Sequence, residues 1–72
     1  PKTIINLELP EDAAVTLKVY DLFGREFKRV YQGNLVKGRY SFEVDMGNAI
    51  PGIYYGYASF NGKIDGIKIA VE

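Results

Sequence analysis

The stretch "IPGIYYGYASFNGK", Ile50 to Lys63, decides how the chain folds. Its middle, "IYYGYASF", sets Ile53, Tyr55 and Tyr57 against Tyr54, Gly56, Ala58 and Phe60, because successive side chains of a strand point to opposite faces. Both sets are largely apolar. That predicts a central strand covered on each side, or on one side plus a neighbouring loop, with most of its rings in the core and their hydroxyls reaching water or a partner. Gly56, flanked by aromatics, predicts close approach of a ring or of backbone. Asn61-Gly62 follows at once and is the strongest short signal for a hairpin.

The flanking sequence has the same period of two. "TIINLEL" places Ile5, Leu7 and Leu9 on one face, and "VTLKVYD" places Val15, Leu17 and Val19 opposite Thr16, Lys18 and Tyr20. "RYSFEV" alternates Tyr40, Phe42 and Val44 with Arg39, Ser41 and Glu43, and "IKIAVE" alternates Ile67, Ile69 and Val71 with Lys68, Ala70 and Glu72. Each reads as a half-buried strand with one wet face. "EFKRVYQ" breaks the period at Phe27, Val30 and Tyr31, which predicts a bulge. Between the runs, "YDLFGRE" reads as a hairpin turning on a left-handed Gly24, and "LPEDAA", "GNLVKG" and "DMGNAIPG" read as loops. Helical periodicity is missing throughout. The expectation is an all-β chain, a small Ig-like or fibronectin-like antiparallel β-sandwich of six to seven short strands, forming a single domain over residues 1–72.

Composition bounds the function. Seventy-two residues bury only about 60% of their unfolded surface, so the core is small. Nine basic and nine acidic residues cancel, leaving no cationic footprint for nucleic acid. The Lys28-Arg29 pair reads as a solvated strand edge. Without cysteine there is no disulfide or thiolate chemistry, and without histidine the usual base and metal ligand are missing. Ser41 and Ser59 lie inside strands with no base nearby. Glu43 and Asp45 share a strand face, an arrangement read as solvation rather than as an acid/base pair or a calcium site. The chain is expected to be non-catalytic, with no cofactor and no metal. No apolar run approaches the roughly 20 residues of a membrane span, so membrane insertion is not expected. The start at Pro1, without methionine or leader, predicts a segment of a longer or processed protein.

"LPEDAAVTLKVYDLFGREF", "GRYSFEVD", "IPGIYYGYASFNGK" and "IKIAVE", in that order, resemble the C-terminal sorting domain of cargo proteins of the type IX secretion system of Bacteroidetes and related bacteria. The matching positions are Val15 to Asp21, Gly24-Arg25, Gly38 to Tyr40, Asp45, Pro51-Gly52-Ile53-Tyr54 and Lys68 to Val71. They span essentially the whole chain. Two positions depart from the pattern: Pro51 abuts Gly52 directly, and the chain ends on the acidic Glu72. The resemblance implies an Ig-like module of about seven strands at the C-terminus of a cargo. It implies passage through the periplasm, recognition by the outer-membrane translocon, and release to the medium or surface attachment by a sortase-like enzyme.

Within that reading the last strand, Ile67, Lys68, Ile69, Ala70, Val71 and Glu72, is the expected recognition element, since a terminal strand can pair with a partner by strand addition. Ile67, Ile69 and Val71 would pack inward while Lys68 and Glu72 face the receptor. Gly38 and Gly52 read as backbone requirements at strand starts, and Arg25 and Lys28 as solvated. Two alternatives stay open: an accessory Ig-like module such as those of flagellar hook-capping proteins, and a carbohydrate-binding module using exposed tyrosines, with Tyr20 the best candidate for exposure.

Overall fold

A computed structural model describes residues 2–72, which form six strands and no helix. In chain order these are β1 (Lys2–Leu9), β2 (Ala13–Tyr20), β3 (Glu26–Leu35), β4 (Gly38–Asp45), β5 (Gly52–Phe60) and β6 (Lys63–Val71). β1 pairs with β4 in a two-stranded sheet; the other four form a sheet of order β3-β2-β5-β6, and every pairing is antiparallel. The two sheets pack face to face as a small β-sandwich.

Alternation decides what lies between the sheets. Ile5, Leu7 and Leu9 of β1 and Val15, Leu17 and Val19 of β2 are buried, as are Val44, Met46, Tyr54, Ala58, Phe60, Ile69 and Val71. Burial of a valine or leucine side chain stabilises by about 1.5–3 kcal/mol, so this one layer holds the fold together. Tyr31, Tyr40 and Phe42 close the β3/β4 side, with ring centroids 5.4 Å apart for Tyr31–Phe42 and 6.3 Å for Tyr40–Phe42.

The β5–β6 hairpin turns at Asn61 (φ 49°) and Gly62 (φ 72°). Two successive positive φ values match the right-handed twist of the flanking strands, and Asn-Gly supplies them at low steric cost. The irregular period of β3 has its cause in the β2–β3 register. That register slips between Leu17 and Lys18 and again between Val19 and Tyr20, so Val30 and Phe27 have no directly opposed partner. Phe27 is thereby free to pack on Tyr54, with ring centroids 5.2 Å apart.

Five expectations change. "GNLVKG" is mostly strand, because Gly33, Asn34 and Leu35 pair with Val15, Ala14 and Ala13. Those two alanines in turn belong to β2 rather than to the "LPEDAA" loop. β5 is central, but only one of its faces is covered: Tyr54 and Phe60 are buried, whereas Tyr57 lies 39% exposed on the outer face. Gly56 admits aliphatic side chains instead of a ring or backbone, since a Cβ there would stand 3.1 Å from both Ile5 Cδ1 and Ile67 Cγ2. Ile67 itself points to the inner face yet stays 43% exposed.

Candidate docking surface

The strand directions collect particular loops at each end. One pole holds the start of β1, the β2–β3 loop, the β4–β5 loop and the end of β6. The opposite pole holds the β1–β2 and β3–β4 connections and the Asn61-Gly62 turn. Of the candidate positions, Gly24, Arg25, Asp45, Pro51, Gly52, Ile53, Tyr54, Val71 and Glu72 gather at the first pole, and Ile67, Lys68, Ile69 and Ala70 run toward it along β6. Gly38 (φ 152°) starts β4 at the other end.

The β2–β3 loop is held by Asp21. Its Oδ1 accepts from the backbone N–H of Phe23 (2.9 Å) and of Arg25 (3.0 Å), and its Oδ2 accepts from Arg25 Nε at 2.9 Å. The Asp21 and Arg25 backbones also bond, N–H to carbonyl, at 3.0 Å, and Gly24 N–H donates to the Asp21 carbonyl at 3.1 Å with Gly24 at φ 79°. The Arg25 backbone N–H, followed by that of Phe23 and the Arg25 guanidinium, holds the Asp21 carboxyl below the usual carboxylate range against an opposing desolvation effect. This frame fixes Leu22 and Phe23 in solvent, 60% and 82% exposed, with the Arg25 guanidinium 5.3 Å from the Phe23 ring centroid. Arg25 is solvated, its side chain 75% exposed, while its guanidinium also pairs with Asp21.

The β4–β5 loop is pinned from several sides. Gly47 N–H donates to Asp45 Oδ1 (2.8 Å), Ala49 N–H to the Met46 carbonyl (2.7 Å), and Lys28 Nζ to the Asp45 carbonyl (3.0 Å). Met46 is buried beneath. The Tyr54 hydroxyl donates to the Ile50 carbonyl at 2.7 Å, so the backbone of Ile50 is fixed while its side chain is 78% exposed. Gly52 follows at φ 153°, a conformation that favours glycine. Phe23, Arg25, Ile50 and Pro51 line a shallow cleft of about 160 Å³ between the two loops.

β6 joins this pole through the pairing of Val71 with Gly52 and of Ile69 with Tyr54. Ile69 and Val71 are buried, while Lys68, Ala70 and Glu72 are exposed. β6 is the last strand of its sheet, so one backbone edge is unpaired among the described residues. Beside its end, Thr3, Met46, Val71 and Glu72 border a second depression of about 210 Å³.

The acidic pair read from the sequence is engaged in structural contacts. Glu43 bonds Lys2 at 3.3 Å, and the Asp45 carboxylate is spent on its own turn. Ser41 Oγ donates to Asn6 Oδ1 at 2.7 Å. Among the described residues no cluster of His, Cys, Asp and Glu could hold a metal ion, and no helix is long and apolar enough to cross a membrane. The exposed Leu22, Phe23 and Ile50 were not singled out by period. Their signal was apolar residues inside turn-forming segments, where burial has no strand or helix to act through. No protein-family model, curated protein or solved structure matches the chain.

Proposed function

We propose that this chain is a non-catalytic sorting module that addresses a cargo protein to a type IX outer-membrane translocon, by way of the periplasm, for secretion or surface attachment. The observation that carries the reading is the gathering of Asp21, Gly24-Arg25, Asp45, Pro51 to Tyr54 and the end of β6 at one pole. Residues spread over some fifty positions of sequence thereby border one surface. That surface offers what a receptor can use: a rigid loop displaying Phe23 and Leu22, a second displaying Ile50, and an open strand edge ending in Lys68 to Glu72. Exposed aromatic and aliphatic anchors on a preorganised frame bind with little ordering cost. An edge strand adds main-chain hydrogen bonds to a partner strand.

The test fuses residues 1–72 behind a periplasm-directed fluorescent reporter in a bacterium with an active type IX system. The expected outcome is reporter on the cell surface or in the medium, lost when the translocon is inactivated. A folded fusion that stays in the periplasm contradicts the reading.

A further inference from the structure

We propose that the outer face of the four-stranded sheet is a binding site for a neutral oligosaccharide, whose sugar rings stack on Tyr20, Tyr55 and Tyr57. The site adjoins the docking pole at Asp21, Leu22 and Gly24 but does not rest on the sorting role. Strand register builds it directly. Tyr20 of β2 stands opposite Tyr55 of β5, which stands opposite Lys68 of β6; the next rows are Lys18–Tyr57–Gly66 and Thr16–Ser59–Ile64. The centre of the face is therefore aromatic, Thr16, Lys18, Ser59 and Lys68 border it with hydroxyls and charge, and the exposed Ile64 closes one corner with an apolar group.

Tyr57 is exposed and Tyr20 and Tyr55 are half-buried, so Tyr57, not Tyr20, is the most open ring of the face. Tyr55 and Tyr57 lie within 28° of parallel with centroids 6.4 Å apart, and Tyr20 meets Tyr57 edge-on at 5.8 Å. Gly66 makes the arrangement possible, because a Cβ at that position would come within 3.0 Å of the Tyr57 ring. The hydroxyls of Tyr31, Tyr40 and Tyr54 each donate to a backbone carbonyl. Those of Tyr20, Tyr55 and Tyr57 have no such partner among the described residues, which leaves three phenols available to a ligand on one face. The surrounding depression, about 710 Å³ and bordered by Thr16, Asp21 and Ser59, falls in the size range of small-molecule sites, roughly 300–1,000 Å³.

The chemistry of this face selects the occupant. A pyranose offers an apolar C–H face to an aromatic ring and a perimeter of hydroxyls to phenol, Thr and Ser groups. Lys18 is paired with Glu26 at 3.1 Å, which leaves Lys68 as a single cation at the border of these rows, short of the cluster of cations that phosphate recognition needs. Leu22 and Ile64 add an apolar margin, but an apolar protein partner would still leave the phenol, Thr16 and Ser59 hydroxyls to be desolvated without compensation, at a cost.

The experiment titrates isotope-labelled chain with cellohexaose, laminarihexaose, maltohexaose and mannohexaose, followed by NMR and calorimetry. At least one sugar is expected to give saturable shifts centred on Tyr20, Tyr55, Tyr57, Ser59 and Gly66. Its affinity is expected to fall tenfold or more in Tyr57→Ala and in Gly66→Val, and to survive largely intact in Tyr57→Phe. No saturable shift with any of the four sugars overturns the proposal, as does a shift map centred elsewhere or an affinity unchanged in folded Tyr57→Ala. Tyrosine resonances that move with protein concentration but not with sugar would also overturn it and assign the face to a second copy of the chain. If the Ala and Val variants do not fold, the shift map of the unaltered chain decides alone.

Discussion

β2 and β6 flank the same strand, β5, and both turn aliphatic residues inward, yet the inward series of β6 begins with Lys63 and Asp65, and the two strands end up in different environments. On β2 the inner residues Val15, Leu17 and Val19 are at most 1% exposed. On β6 burial is confined to Ile69 and Val71; Lys63 through Lys68 are exposed on both faces. The reason is composition together with geometry. The second sheet has two strands against four, so it covers β2 and β5 and leaves the first two-thirds of β6 open. Alternation fixes which face a side chain takes, and the opposing layer fixes whether that face is dry.

The largest test of this contrast is truncation at matched positions. Leu17→Ala is expected to cost about 2–5 kcal/mol in chemical denaturation, enough to unfold a domain this small. Ile67→Ala, at an inward side chain that is 43% exposed, is expected to cost about 1 kcal/mol, since only part of the side chain is covered. Equal losses at the two sites would show that β6 is as fully covered as β2. Next in size is Gly56→Leu. Its added side chain meets Ile5 and Ile67 at the seam between covered and open β6, so overpacking should cost about 1–3 kcal/mol. A neutral result would mean that the seam is loose.

Gly62→Ala follows, at roughly 1 kcal/mol, because φ 72° strains any residue with a Cβ; a thermal melt reads it. The smallest effect is electrostatic and local. Since the Asp21 carboxyl is held below its usual value in the folded chain, the loop stabilisation it gives is present above the unfolded-chain value and is lost as pH falls through the folded one. The Arg25 amide resonance should titrate with a midpoint below about 3.9. A midpoint at or above that value would remove the Asp21 frame from the β2–β3 loop.

Strand existence and face were legible in the sequence where β1, β2, β4 and the end of β6 keep a clean period of two, as Val15-Leu17-Val19 does. The Asn61-Gly62 turn was legible from steric preference alone. The extent of β3 was not, since Gly33 and Asn34 are turn-forming types held extended by pairing with Val15 and Ala14. Nor was the one-sided cover of β5: Tyr54 and Tyr57 are the same residue type on opposite faces, and only the placement of the smaller sheet separates them. The docking pole was half legible. Gly24, Arg25 and Pro51 to Tyr54 stood out as turn and motif residues, but their meeting with the end of β6 depends on strand order, a long-range property.

The most direct measurement compares the two poles in the export assay. One reporter fusion carries Phe23→Asp with Ile50→Asp at the docking pole; the other carries Val36→Asp, which is 66% exposed at the opposite pole. Circular dichroism first establishes that both modules fold. The expected result is periplasmic retention of the first fusion and normal export of the second. Export of both at the level of the unaltered module would contradict a receptor-facing role for the pole that these loops build.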